Sequence, residues 1–415
     1  MIYSLHAPLR LDATIHLPAS KSICNRALII NALAGGDTWP DNLSDCDDTS
    51  VMVSALRDMP HVIDIGAAGT AMRFLTAFLA ITKGEHIITG TARMQQRPIG
   101  VLVDALRYLG AQIDYLGQEG FPPLRIRGRQ LSGGSLEIAG NISSQYVSAL
   151  LMIAPMLKEG LQLKLAGEIA SRPYIDLTLW MMREYGADAE WTDVDMVSVK
   201  PVRYQPRSYA IESDWSSASY WYELLALSNN DDNTLRLTGL KDNSKQGDSV
   251  ARYIFSLLGV KTTFEKSTSG CPDIVRLTRH RSLLPRLEYD FNNTPDLAQT
   301  FVVACSMMNI PFHFRGLASL KIKETDRIAA LKTEMRKLGI VIKDLNGSEL
   351  MWDGERCEPS LEPIKTYKDH RMALAFAPAV YRFDGLRIDK PEVVSKSYPN
   401  FWHDLTASGF LIDEE

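Results

Sequence analysis

The sequence predicts a mixed α/β protein of two domains, each assembled from three repeated β/α units. Three observations carry that expectation. The chain of 415 residues is longer than one hydrophobic core commonly serves. Two kinds of helical segment, one apolar nearly all round and one amphipathic, alternate six times along it. Finally, Gly110, Gly186, Gly259 and Gly339 stop four of the amphipathic segments at near-regular spacing. The unit spans roughly 60 to 80 residues, longer than a solenoid repeat.

The apolar segments are residues 27–34, 71–82, 147–157, 218–227, 297–308 and 372–380. With no polar face they must be buried on all sides. The amphipathic ones are residues 49–57, 98–109, 174–185, 248–258, 326–338 and 399–407. After the four glycines come short alternating or β-branched runs at 111–115, 187–191, 260–264 and 340–344, which read as strands. Further strands are expected at 162–166, 234–238 and 311–315. The first copy is compressed. Only residues 58–65 separate its amphipathic helix from Gly66, so either a hairpin has been lost or the repeat count fails there. No Gly/Ser- or Pro-rich linker divides the chain, and the domain crossing is expected near Asp214.

Composition excludes several classes. Hydrophobic content of 45% with 23% charged residues is ordinary for a folded soluble protein. A net charge of −5 offers no general basic field for nucleic acid or an anionic membrane, so an anionic ligand needs a local cluster. Cys24, Cys46, Cys271, Cys305 and Cys357 are scattered, odd in number and without a C-x-x-C pair; reduced thiols are expected, with no zinc site. The N-terminal residues lack a basic stretch followed by an apolar one, and no apolar run is long enough to span a bilayer. A cytoplasmic protein is expected.

The helix starts are chemically loaded. Ser20, Lys21, Ser22 and Arg26 head the first apolar helix; Gly69, Thr70 and Arg73 the second; Ser143, Ser144 and Gln145 the third. Asp214 with Ser216 and Ser217, Asn292 to Asp296, and Asp369, His370 and Arg371 head the other three. The amphipathic helices open on Arg97-Pro98, Arg172-Pro173, Lys323-Glu324-Thr325-Asp326-Arg327 and Lys396-Ser397-Tyr398-Pro399. Proline suits a first helical turn, but cations there oppose the helix dipole. For any one of them a solvated surface charge is sufficient explanation. Recurrence at equivalent repeat positions instead points to a receptor for a multiply charged anion. Lys21, Arg26, Arg97, Arg172, Lys323, Arg327, Arg371 and Lys396 would collect on two domain faces opposed across a cleft.

Six motifs are specific enough to compare with known families. They are Pro18-Ala-Ser-Lys-Ser-x-x-Asn-Arg26-Ala-Leu, Gly69-Thr-Ala-Met-Arg73, Gln96-Arg-Pro-Ile-Gly100, Ser143-Ser-Gln145, Lys323-Glu-Thr-Asp-Arg327 and Asp369-His-Arg-Met-Ala373. In this order and spacing they resemble the 3-phosphoshikimate 1-carboxyvinyltransferase (EPSP synthase) family over nearly the whole chain. The resemblance implies three β/α units per domain around buried parallel helices, with sheets outside. It also implies that residues 1–18 and 216–415 form one domain and 19–215 the other.

The activity implied is transfer of the enolpyruvyl group of phosphoenolpyruvate to the 5-hydroxyl of shikimate 3-phosphate. Phosphate leaves through a tetrahedral intermediate, with no metal and no other cofactor, in a monomer that binds neither nucleic acid nor membrane. Matching motifs assigns Lys21, Ser22, Arg26, Ser143, Ser144, Gln145, Ser171, Tyr174, Asp296 and Lys323 to shikimate 3-phosphate. It assigns Lys21, Gly69, Arg97, Gln145, Arg327, His370, Arg371 and Lys396 to phosphoenolpyruvate. Asp296 and Glu324 are the implied acid/base pair, with Lys21 sharing the chemistry; helix capping is the competing account of Asp296, and a first-turn carboxylate that of Glu324. Ala67, Phe74, Ser319 and Arg172 depart from residues common in the family, and Phe74 is expected to shift Gly69 and Thr70. Two other readings are enolpyruvyl transfer to a UDP-sugar and an anion-binding protein without turnover. The first lacks its loop cysteine here, and the second gives no reason for carboxylates among the cations.

Overall fold

The structure, a computed structural model, describes residues 1–265, 273–282 and 284–415; Cys271 lies outside the described residues. The twelve helices described form six pairs. They are α1 (Lys21–Ala34) and α2 (Asp47–Asp58), α3 (Gly69–Ile81) and α4 (Gly100–Tyr108), and α5 (Ser144–Ile153) and α6 (Arg172–Glu184). The other three pairs are α7 (Trp215–Leu227) and α8 (Ala251–Leu257), α9 (Ala298–Met307) and α10 (Arg327–Lys337), and α11 (His370–Phe376) and α12 (Phe401–Ala407).

The odd-numbered helices are the apolar segments, and each is largely buried, because a helix without a polar face has no side to offer water. Every residue of α7 is buried, including Trp215, Trp221 and Tyr222. Gly110, Gly186, Gly259 and Gly339 all take left-handed backbone, with φ of 102, 85, 90 and 79°. Each ends an amphipathic helix as a residue without a Cβ can.

The second pair shows the repeat. Strand Val62–Asp64 leads into α3, and Gly84–Thr89 returns parallel to it. After α4 the hairpin Gln112–Tyr115 and Leu124–Gly128 completes the sheet, its second strand antiparallel to Gly84–Thr89. Five four-stranded sheets are described. The first helix pair has none of its own. Among the described residues its strand pairing is reduced to a single bridge, Asp41 with Ala210, so a hairpin is missing there and the sixfold count of helix pairs stands.

Two sheets show how the chain closes on itself. Strand Asp12–His16 pairs parallel with Thr234–Thr238, the role that Val62–Asp64 plays in its own sheet. Its helix, α7, follows only after the chain has built residues 19–211. Strand Ile2–His6 sits between Leu386–Asp389 and Leu411–Glu414, so the first residues complete the last sheet. The chain accordingly divides into two compact units, Met1–Pro18 with Glu212–Glu415 and Ala19–Ile211, each with its own apolar core. Residues 212–215 go with the first unit, because Ser213 donates to the carbonyls of Gly239 and Leu17 and the Asp214 amide to that of Pro18.

Two strand expectations shrink. Residues 340–344 give a strand only from Lys343, within Lys343–Leu345; before it Ile340, buried like Ile342, makes a single antiparallel bridge to Arg356. Of residues 187–191 only Ala189–Trp191 is extended in the sheet. No helix among the described residues is long and apolar enough to cross a membrane.

One core residue conflicts with its surroundings. Glu223, in the middle of α7, is fully buried, and neither carboxylate oxygen meets a hydrogen-bond partner among the described residues. Burial pushes its carboxyl well above the usual range. The folded state therefore keeps a proton that the unfolded chain releases, so stability falls as pH rises through the ordinary carboxylate range. Glu223→Met is expected to raise the melting temperature, with a larger gain at about pH 8 than at about pH 5. Thermal unfolding followed by circular dichroism at both pH values checks this.

Candidate active site

In the unit containing both chain termini, four helix starts converge on one charged network. Asp296 lies in the 3-10 turn Pro295–Leu297 that leads into α9. Lys323 and Glu324 precede α10, and Arg327 is its first residue, with the Asp326 side chain capping the Ala329 amide at 3.1 Å. Asp369 caps α11 by accepting from the Arg371 amide at 3.0 Å. Lys396 closes the 3-10 turn before α12.

Arg327 is the centre of this network. It is 1% exposed, and its guanidinium meets three carboxylates. Nε and Nη2 donate to Asp369 at 2.7 and 3.2 Å, Nη1 to Asp296 at 2.9 Å, and Nη2 to Glu324 at 3.0 Å. Although burial disfavours its charge, Asp369, Glu324 and Asp296 raise its pKa further above the ordinary arginine value. Arg371 donates to the other Asp296 oxygen at 3.0 Å and to the Tyr220 hydroxyl at 3.2 Å. Lys396 donates to Glu324 at 2.9 Å, and the Lys323 ammonium lies 3.6 Å from Asp296. Burial raises the cost of ionising Asp296, yet Arg371, Lys323 and Arg327 overcome it and hold the carboxyl well below the usual range. Lys323 is shifted down by burial, with Asp296 opposing. His370 is buried beside Asp369, Nδ1 at 3.7 Å from its carboxylate.

The other unit holds the remaining expected residues in three linked groups. Arg26 is buried and braces three helices. It donates to Thr178 at 2.7 Å, to the Ser22 carbonyl at 2.8 Å, to Ser148 at 3.1 Å and to the Tyr174 carbonyl at 3.4 Å. Burial lowers its pKa to about 10. Lys21, at the start of α1, stands 3.6 Å from the buried Asp48 of α2. The third group surrounds Gly69. Arg73 donates to the Gly69 carbonyl at 2.9 Å and to Gln145 Oε1 at 2.7 Å, and Gln145 Nε2 donates to Thr70 at 3.2 Å. A Cβ at Gly69 would lie 2.7 Å from Nη1 of Arg97 and 2.9 Å from Nη1 of Arg73, so only glycine lets both guanidiniums approach.

Ser143 caps α5 through the Gln145 amide, and Ser144 is buried beside it. Ser171 begins α6 in left-handed backbone at φ 55°, a conformation rare outside glycine.

Some expectations need correction. Arg172 turns instead to the strand hairpin that follows its own helix. Its guanidinium stacks 3.9 Å from the Trp191 ring centroid and donates to the Val194 carbonyl, both on the outer hairpin. Phe74 leaves α3 helical from its first residue. It is fully buried in a helix running unbroken from Gly69 to Ile81, with the Arg26 guanidinium 5.4 Å from its ring centroid.

Four participants were absent from the expected set. Asp369 and Arg73 stand inside motifs that sequence already marked, and their acid or base character was the available signal. Tyr220 lies within an apolar helix and gave no signal. Asp248 accepts from Ser216; burial, with the Asp296 charge nearby, pushes its carboxyl up to about 6.

A family model described as EPSP synthase (3-phosphoshikimate 1-carboxyvinyltransferase) matches residues 5–64 and 58–405. The chain belongs to the EPSP synthase family. A 3-phosphoshikimate 1-carboxyvinyltransferase of Bacteroides fragilis is 58% identical over 413 residues, covering 99% of each chain. One from Shewanella halifaxensis is 35% identical over 426 aligned positions, covering 96% of this chain and 97% of its own. An EPSP synthase structure from Acinetobacter baumannii superposes with a TM-score of 0.77 at 22% identity, each chain fully covered, and shares the fold. Family membership thus extends along both units, including the helix starts from which the charged groups project.

Arg327→Leu would leave the Asp369 and Asp296 carboxylates without their shared counter-charge. A loss of about 3–5 kcal/mol is expected, as for other broken buried ion pairs. Because Asp296 titrates below its ordinary range in the folded state, its contribution holds above that range and is lost as pH falls. The gap between wild type and variant should therefore narrow on acidification, read from urea midpoints across the carboxylate range.

Proposed function

We infer that the chain carries the activity of its family. It moves the carboxyvinyl group of phosphoenolpyruvate onto the 5-hydroxyl of shikimate 3-phosphate and releases phosphate. The observation that carries this reading is the network of Asp296, Glu324, Arg327, Arg371 and Lys396. It places two partly accessible carboxylates among fixed cations, in a chain 58% identical to a 3-phosphoshikimate 1-carboxyvinyltransferase. Anion binding alone gains nothing from such carboxylates, since each competes with the ligand for the same donors.

The chemistry requires a proton at the methylene carbon of phosphoenolpyruvate and a bond from the 5-oxygen to its central carbon. The hydroxyl proton must leave, and a tetrahedral intermediate results. Its C–O bond to phosphate then breaks, and the methyl group gives back a proton to restore the double bond. We assign the hydroxyl to Asp296. Held ionised by Arg371, Lys323 and Arg327, that carboxylate is suited to orient the hydroxyl and to accept its proton as the oxygen becomes acidic. Glu324 is assigned to the methylene group. Its two oxygens already take charge-assisted bonds from Lys396 and Arg327, so proton traffic through it requires those cations to shift toward the substrate. Lys21 shares the proton work.

Arg327, Arg371, Lys396, His370, Arg97, Gly69 and Gln145, with Lys21, are assigned to phosphoenolpyruvate. Guanidinium forks there would meet the carboxylate and the departing phosphate. Ser22, Ser143, Ser144, Ser171, Tyr174, Gln145 and Lys323, with Lys21 and Asp296, are assigned to shikimate 3-phosphate. Arg26 belongs to that set through the segment it braces, since its hydrogen bonds run to α1, α5 and α6. A cytoplasmic monomer accords with a net charge of −5 and with the free thiols at Cys24, Cys46, Cys305 and Cys357.

Phosphate release from purified protein, with each substrate omitted in turn, tests the function. Release that requires both is expected; release without shikimate 3-phosphate, or none with both present, refutes it. Glu324→Gln preserves shape and removes the proton-carrying group. Its kcat is expected to fall by about two to four orders of magnitude while the protein stays folded, as read by circular dichroism. A rate within about tenfold of wild type would take Glu324 out of the proton transfer.

A further inference from the structure

The segment that enters α11 is held from behind by α10. Between the strand Ile364–Lys365 and α11, Tyr367 and Lys368 both take left-handed backbone, at φ 55 and 57°. Residues with a Cβ rarely adopt this conformation, and two in succession need outside restraint. The restraint begins at Glu334, seven residues after Arg327 and so on the same face of α10. Glu334 is fully buried. One of its oxygens accepts from the Tyr367 hydroxyl at 2.6 Å; the other accepts from the Lys365 amide at 2.9 Å and the Lys337 ammonium at 2.6 Å. Lys337 also donates to the Pro363 carbonyl at 2.8 Å.

At the other end of the same helix, Arg327 grips Asp369 with two bonds. Helix α10 thus holds the segment at both ends, and the left-handed pair lies between the grips. Asp369 in turn caps α11 at the Arg371 amide, and Arg371 reaches Asp296. A fold with no further demand on this turn would be served by glycine at 367 or 368, and by an apolar residue in place of a buried carboxylate.

We propose that Glu334 and Tyr367 are positioning residues, whose hydrogen bond sets the Tyr367–Lys368 turn and thereby the placement of Asp369 and Arg371 for phosphoenolpyruvate. This rests on the function argued above. Asp296 keeps Arg327 and Lys323 when the clamp is released, so the shikimate 3-phosphate side is affected less.

Steady-state kinetics of Tyr367→Phe, which removes only the hydroxyl, supplies the test alongside melting temperatures. KM for phosphoenolpyruvate is expected to rise about tenfold, while KM for shikimate 3-phosphate stays within about twofold. Lys368→Gly adopts the same backbone without touching the clamp and is expected to leave both KM values within about twofold. Should Tyr367→Phe fail to fold, Glu334→Met, which removes the acceptor of the phenol at similar volume, is read by the same split between the two KM values. Three results would overturn the inference alone: an unchanged KM for phosphoenolpyruvate, a parallel rise in both, or an equal effect from Lys368→Gly. A wild type that releases no phosphate overturns the function and this inference with it.

Discussion

One buried guanidinium organises the charged half of this protein. Arg327 is removed from water, which is tolerable only because three carboxylates surround it at hydrogen-bonding distance. Each carboxylate comes from a different part of the repeat array. Asp296 precedes α9, Glu324 precedes α10 itself, and Asp369 caps α11. The arginine therefore links three successive helix starts in one unit. It also aligns Asp296 with Arg371 and Glu324 with Lys396, because each carboxylate has a second oxygen left for another cation.

This arrangement changes how anion binding should be pictured. Sequence alone suggested eight cations awaiting a ligand. In the folded chain Arg327, Arg371 and Lys396 are paired with carboxylates, and Arg26 is bonded to scaffold oxygens. A charged substrate enters such a network by sharing donors. The energetic consequence is selectivity: an anion of the wrong shape would break carboxylate pairs without replacing them, and would leave buried charge uncompensated. The pairing also fixes the guanidinium planes in advance, which lowers the ordering cost of binding.

The repeat architecture explains why such groups recur. Each buried helix begins beside the strand that feeds it, and its start is where unpaired amides and incoming side chains meet. Among the described residues, five helix pairs carry a four-stranded sheet, and the first keeps a bridge between Asp41 and Ala210. Yet α1 still brings Lys21 to Asp48 and Arg26 to α5 and α6. The helix pair is the part of the repeat that carries side chains for function, and the sheet is dispensable where neighbouring helices cover the apolar face.

Much of this was determined by sequence alone. Six apolar segments without a polar face had to become six buried helices. Four glycines had to end their amphipathic partners, since only they reach φ near +90° without strain. The motifs carrying Lys21, Gly69, Gln145, Asp296, Glu324, Arg327 and Arg371 were legible because cations at helix starts have no role in helix stability. Tertiary structure alone decided the rest. Whether an arginine reaches a carboxylate or an aromatic ring depends on contacts remote in sequence, and so Arg327 found Asp369 while Arg172 found Trp191. Tyr220 was invisible because a tyrosine inside an apolar helix looks like core until its hydroxyl is seen beside Arg371. The shortened strand after Gly339 has the same origin, since Ile340 pairs with Arg356, a residue remote in sequence, by a single bridge rather than along a ladder. Local pattern sets which helices form, whereas the pairing of buried charges is a property of three-dimensional proximity that no local pattern encodes.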